Sequence, residues 1–365
     1  MFERPLHFFV EVVLFIRFRE IILLPNRKKQ YLFKKNKMTK YLFLLFPLMV
    51  FSQKEVDLPT TGSLKDPSGK TKNLVVLDER SNPNLGTIQY KNQTLQFVTK
   101  EVSLKQFFED WFKKNNKNPK GDQNIVLLIE DIEFLNEVED DKNFLKADVR
   151  ASTFVEKDGQ YYFIRRINTT VTPGELPNSP LGISVAVPLE FASLMRASYL
   201  MSPSVKPITA TQLKDYAAIL SADLPVFQGN TLKDGVYKDY SSFFNQQPEV
   251  GFQLVRNNNN NITKASNGQE NIGIHKIYAY VENGVAYKNT AGGFMEMKKD
   301  TGGFYVISNR GTLAPVQMDS TYGMFGLVGA GIGAIATNAK NKKLQQAEKY
   351  NIYIDPLSGG YIYKK

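Results

Sequence analysis

The stretch that most constrains the fold is Met38–Gln53, MTKYLFLLFPLMVFSQ, because it sets how much of the chain remains to fold and in which compartment. A lysine sits just inside a methionine, an apolar run extends from Tyr41 to Phe51, and the small residue Ser52 precedes Gln53. Charge, apolar core and small residue in that order describe a secretory signal peptide over 38–52. The run of 11 residues is short of the roughly 20 needed to cross the hydrocarbon, so cleavage is expected rather than anchoring. Residues 1–37 then read as an over-extended reading frame, with translation starting at Met38. Their apolar part, Leu6 to Leu24, is interrupted by Glu11, Arg17, Arg19 and Glu20. Each such charge costs roughly 2.5 to 3.5 kcal/mol near the centre of a membrane helix. The expected location of the working chain is outside the cytoplasm: periplasm, outer-membrane-associated or extracellular.

This reading changes the charge argument. Of 46 basic and 36 acidic residues, ten and three precede Gln53, which leaves 36 against 33. So even a balance gives no clustered basic footprint, and no nucleic-acid partner is expected. The chain has no cysteine, so neither a disulfide framework nor lipid attachment through a cysteine is open to it, and an ordinary apolar core must hold the fold.

The expected fold class is α+β. Residues 53–73, rich in Pro, Gly, Ser, Thr and Lys, read as a flexible tether. Ser68-Gly69-Lys70-Thr71 within it resembles the end of a phosphate-binding loop, but Leu64 occupies the position of the required first glycine. A mixed, sandwich-like α/β domain is expected over 74–222. It includes short strands at Leu74–Leu77, Gly86–Tyr90 and Thr94–Thr99, and a helix in which Leu104, Phe107, Phe108, Trp111 and Phe112 form one core-facing stripe behind the N-cap Ser103. Ile125–Ile132 reads as a buried strand running into a solvated acidic loop, Glu137 to Asp141, that lacks calcium-loop spacing. Leu145–Val155 and Tyr161–Val171 read as a hairpin turned by Asp158-Gly159. Ile183–Val187 reads as a further strand, and Leu189–Met201 and Thr211–Ala222 as helices.

A small antiparallel β-meander domain is expected over 231–321, where Asn283-Gly284, Gly292-Gly293 and Gly302-Gly303 supply tight-turn residues between aromatic strands. Asn261-Ile262-Thr263 fits a glycosylation sequon. The last part, 322–365, carries a Gly-rich apolar segment, a polar and basic helix, and a hairpin formed by Tyr350–Ile354 and Tyr361–Lys364.

Asp234-Gly235-Val236-Tyr237, then Ser241 to Pro248 (SSFFNQQP), then Lys276 to Tyr280 with Asn283 to Tyr287 (NGVAY), resembles a family of uncharacterised secreted proteins from Gram-negative bacteria. The resemblance covers about a quarter of the chain, implies an exported envelope protein, and supplies no catalytic residue.

Tyr322–Thr337, YGMFGLVGAGIGAIAT, matches the letters of a dinucleotide fingerprint at Gly329, Gly331 and Ala334, but no βαβ unit can be completed around it. It reads as a tightly packed internal helix or loop, with membrane or partner contact through Phe325, Gly326, Gly329 and Gly333 as the other reading.

Catalysis finds little support. Beyond Ser52 the one histidine is His275, which reads as an ordinary strand residue, and no G-x-S-x-G or metal-binding histidine pair is present. No catalytic, cofactor-binding or metal-ligating residues are expected, and no cofactor. The expectation is a non-enzymatic exported protein of the cell envelope that acts by binding or assembly, with an envelope protein or the outer-membrane surface as partner. The alternative is a secreted hydrolase using an Asp/Glu pair, which requires two acids about 5 to 10 Å apart at a pocket.

Overall fold

The computed structural model describes residues 54–139, 142–174, 176–229, 231–314 and 348–363. The stretch 38–52 that reads as a signal peptide, the residues ahead of it, and the Gly-rich segment with Phe325, Gly326, Gly329 and Gly333 lie outside the described residues. The architecture is mixed α and β, with strand residues outnumbering helical ones.

In chain order the first half comprises β1 (Lys54–Asp57), β2 (Thr71–Asp78), β3 (Thr87–Tyr90), β4 (Gln93–Val98), α1 (Leu104–Asn115), β5 (Gln123–Glu139), β6 (Lys142–Lys157), β7 (Gln160–Val171), α2 (Pro180–Leu200) and β8 (Pro207–Thr209). A central sheet runs β2-β5-β6-β7-β8, with β2 parallel to β5 and the other neighbours antiparallel. A small sheet, β1-β4-β3, lies beside it.

The apolar run at the start of β5 has partners on both faces. Ile125, Leu127 and Ile129 join one core with the α1 stripe and with Ile183, Val187 and Phe191 of α2, while Val126 and Leu128 join another with Phe154, Ile208 and Tyr216. An unbroken apolar strand is what two covered faces require. The expected α1 stripe is buried in full, and Ser103 caps the helix by accepting from the Gln106 amide.

Three expectations are corrected here. Ile183–Val187 is not a strand but the first half of α2. Short apolar runs do not tell strand from helix by periodicity, and Ser179 as N-cap with Pro180 at the first turn starts a helix here. The acidic stretch is not a loop at Glu137–Glu139, because β5 continues to Glu139 past a bulge at Ile129/Asp131 and stays paired with β6. Residues 54–73 are no free tether: Leu58 and Leu64 are buried, and the Asn115 and Asn116 side chains at the end of α1 bond the Leu64 and Asp66 backbone. Thr71 opens β2, so no helix follows Ser68-Gly69-Lys70 and no phosphate loop forms.

Among the described residues α2 is the one helix long and apolar enough to cross a membrane, but more than half of it is buried, packed on β6 and β7. That burial suits the core helix of a folded domain.

A 3₁₀ turn (Ala210–Asp215) leads into α3 (Tyr216–Ala222), followed by α4 (Pro225–Gln228), β9 (Gly235–Tyr237), α5 (Tyr240–Phe244), β10 (Gln253–Arg256), β11 (Ile262–Ser266) and β12 (Asn271–Gly273). The meander follows: β13 (Ala279–Glu282), β14 (Val285–Thr290), β15 (Gly293–Asp300) and β16 (Gly303–Ser308), then α6 (Arg310–Leu313), β17 (Tyr350–Ile354) and β18 (Tyr361–Ile362). These build an antiparallel seven-stranded sheet, β18-β17-β16-β15-β14-β13-β9, so the expected C-terminal hairpin closes one edge of the meander. Asn283 and Gly284 both take positive φ, +54° and +75°, as a two-residue hairpin turn demands.

Candidate ligand-binding site

Side chains alternate along the central strands, and one face of the sheet is polar. In register across it stand Asp131 and Glu133 on β5, Asp148, Arg150 and Ser152 on β6, and Arg166, Asn168 and Thr170 on β7. Such a face ordinarily meets water. Here the hairpin β17–β18 covers it.

Arg166 is the centre of that contact. Its Nε donates to Asp355 Oδ2 at 2.6 Å and its Nη1 to both oxygens of Glu130, at 3.0 and 2.8 Å. The Tyr216 hydroxyl, which also contacts Ser152, touches the same nitrogen. Burial by itself disfavours the charged guanidinium, but Asp355, Tyr216 and Glu130 outweigh it and hold its proton more tightly than usual. At the other end of the face Arg310 of α6 donates to both oxygens of Asp148 and to Thr170 Oγ1.

Between β17–β18, β7, α2 and the meander lies a cavity of about 670 Å³. One wall is the unbroken stretch Arg165–Thr170. β8 pairs only with Gln160–Tyr162, so this wall is the part of β7 that β8 leaves uncovered. The floor is Lys288-Asn289-Thr290 of β14 with Tyr278, and Tyr361 and Tyr363 close it from the hairpin.

Lys288 is buried. Its Nζ donates to the Asn289 carbonyl at 2.9 Å and stands 3.9 Å from the centre of the Tyr278 ring. No carboxylate among the described residues pairs with it, and burial alone pulls its amine down to about 7. Two more polar atoms lie buried beside it without a hydrogen-bond partner among the described residues, the Tyr278 hydroxyl and Asn289 Oδ1. The Asn289 amide nitrogen is used, donating to the Ile274 and Ile277 carbonyls and so fixing the turn that carries Tyr278. Burial keeps the Tyr278 phenol protonated far above the ordinary range, which leaves it a donor.

Five cationic side chains line the cavity, Arg165, Arg166, Lys238, Lys276 and Lys288, against one carboxylate, Glu190. Arg166 is matched by Glu130 and Asp355, and Lys238 by Glu249 at 2.8 Å. Glu190 has its proton affinity raised by burial, and Arg165 partly opposes that. Lys288 keeps no such counter-charge. His275 is not a strand residue: it sits in an exposed 3₁₀ turn, Ile274–Lys276, that lines the same cavity.

A second cleft of about 350 Å³ shares Asn168, Thr169, Thr170, Tyr361 and Tyr363 with the first and adds Asp131, Glu133, Asp148 and Arg310. Glu133 and Asp148 stand directly opposite each other across β5 and β6. Among the described residues no group of three or more His, Cys, Asp or Glu is arranged to hold a metal ion.

Of the residues weighed in the sequence as site candidates, His275 lines the cavity, as do Lys276, Ile277 and Tyr278 from the segment that carries the family resemblance. Tyr278 stands in the sequence only as part of the Lys276–Tyr280 resemblance segment, and Lys288 and Asn289 only as residues following the Asn283–Tyr287 turn and strand. No protein-family model, curated protein or solved structure matches the chain.

Proposed function

We propose that the chain is an exported binding protein of the bacterial envelope, non-enzymatic, whose cavity takes a small organic anion with an apolar body. The single observation that carries the ligand class is Lys288, a buried amine with no carboxylate partner among the described residues, next to the unpartnered Tyr278 hydroxyl. Both can donate to an anion, and a buried charge without a counter-ion costs several kcal/mol that such a ligand offsets. The rings of Tyr278, Tyr361 and Tyr363 suit its apolar part. Export rests on the layout of Met38–Gln53, and the envelope setting on the resemblance of the segments between Asp234 and Tyr287.

The test is thermal denaturation with a panel of small aromatic and aliphatic carboxylates and phosphates beside their neutral amides and alcohols. Anionic members are expected to raise Tm, the neutral isosteres to leave it in place, and Lys288→Met to lose most of the shift. No stabilisation by any anion, or an equal shift in the variant, overturns the reading.

The hydrolase alternative has one observation in its favour, the Glu133–Asp148 pair in the smaller cleft. In such a pair one carboxyl is the acid and the other the base or nucleophile; Asp148, bonded by Arg310 and Thr170, suits the second role, which leaves the first to Glu133. Turnover of a glycoside or ester by the wild-type chain that disappears in both Glu133→Gln and Asp148→Asn is the result that would establish it.

A further inference from the structure

We infer that Lys288 is a carbonyl-capturing amine, and that the cavity holds small aldehydes or ketones bearing an anionic group by forming an imine with its Nζ. This deepens the anion-binding reading and rests on it.

Three features of the site converge on this chemistry. Lys288 lines a cavity large enough for a small organic molecule, and no carboxylate among the described residues sequesters its Nζ. The Tyr278 hydroxyl is buried, with no hydrogen-bond partner among the described residues, and Tyr278 lines the same cavity, so a carbonyl oxygen that reached it would meet an unused donor. Further cationic side chains, Arg165 and Lys276, line the same cavity, so the ligand's anionic end has charged partners besides the amine. Burial supports the chemistry as well: an amine held near 7 is substantially unprotonated at neutral pH, whereas an exposed lysine is almost wholly ammonium.

The step balances without a further reactant. The Nζ lone pair forms a bond to the carbonyl carbon, the π pair moves to oxygen, and that oxygen takes a proton. The oxygen then leaves as water while nitrogen gives up its remaining protons and the C=N bond forms. One amine and one carbonyl compound give one imine and one water, with no change of oxidation level, and hydrolysis reverses it.

The full chain is incubated at neutral pH with para-formylbenzoate, reduced with cyanoborohydride, and mapped by peptide mass spectrometry. The expected result is one reduced adduct on Lys288, formed at least about tenfold faster than on any other lysine, as its larger unprotonated fraction demands. It is slowed by para-toluate, which has the anion but no carbonyl, and absent from Lys288→Arg and Lys288→Met. Label spread over exposed lysines such as Lys238 and Lys276, at the same rate in Lys288→Met, overturns the inference. If para-toluate raises Tm while Lys288 stays unlabelled, imine capture alone fails. If para-toluate neither raises Tm nor slows labelling, the anion-site reading beneath it fails too.

Discussion

Arg166 in β7 and Asp355 in the turn after β17 are bonded at 2.6 Å although 189 positions separate them, and both side chains are almost wholly shielded from water. This pair ties the central sheet to the seven-stranded one. Removing Arg166 strands Asp355 as a buried charge, which costs about 3–5 kcal/mol, whereas removing Asp355 leaves Arg166 paired with Glu130. Arg166→Met is expected to lose stability in that range by urea unfolding, and Asp355→Ala to lose less. The double variant is expected to lose clearly less than the two losses added. Strict additivity would mean that the two side chains do not act as a pair.

The same contact relies on glycine. A Cβ on Gly360 would stand 1.9 Å from the Asn168 carbonyl oxygen of β7, and since that neighbour is backbone it cannot swing aside. At Gly284 the φ of +75° disfavours a side chain, yet nothing lies within 4 Å. Gly284→Ala is expected to cost about 1–2 kcal/mol from the left-handed backbone alone. Gly360→Ala, at a position whose φ is not positive, is expected instead to displace the hairpin, at a cost of about 1–3 kcal/mol by the measure of an overpacked site, and to weaken binding in the cavity it lines. Urea midpoints of the two variants decide the point, and a Gly360→Ala midpoint equal to wild type would show that the hairpin is not seated on β7.

In helix α1, Trp111 is buried among Phe107, Phe108 and the rest of the first core. Trp111→Ala is expected to cost about 3–5 kcal/mol. Ser103→Ala, which removes the cap, is expected to cost about 1 kcal/mol. Val205 is 95% exposed, and Val205→Ala is expected to change stability by no more than about 0.5 kcal/mol. Equilibrium unfolding of the three variants orders them, and a Trp111 loss as small as that of Val205 would refute core placement of the stripe.

How far these features could be read in advance follows their range along the chain. The α1 stripe, the Asp158-Gly159 and Asn283-Gly284 turns and the terminal hairpin depend on residues a few positions apart, and the sequence displays them directly. The first half of α2 does not show as a helix in the sequence because its apolar residues surround the helix, so no face stands out between Ile183 and Val187. The site was not legible for a different reason. Charged and polar residues at every second position of β5, β6 and β7 look like a solvated sheet face, and it is the contact from Asp355 and the Tyr361–Tyr363 segment that covers it. Likewise Lys288 reads as a surface lysine of a hairpin until Tyr278 and Tyr361 are folded over it.

Lys288 gives the last prediction, through its proton. In the unfolded chain its pKa returns to about 10.4, whereas burial holds it at about 7 in the folded one. Between those values the unfolded state binds more protons, so stability rises with pH across that window. Below about pH 7 the buried ammonium imposes its full penalty, a tenfold change in proton affinity corresponding to about 1.4 kcal/mol. The charged and titratable groups around the cavity are Arg165 and Arg166 from β7, Glu190 from α2, Lys238, His275 and Lys276 from the meander side, and Tyr278, Tyr361 and Tyr363. The three tyrosines ionise above their ordinary range, and they do so in wild type and variant alike, so they largely cancel in a comparison. Lys288→Met is therefore expected to be more stable than wild type at pH values below 7, with the advantage shrinking as pH climbs toward about 10.4. Urea unfolding of both chains over that range measures the gap. A gap that stays constant with pH would mean that the amine is solvated in the folded protein, and with it both the anion site and imine capture would lose their physical basis.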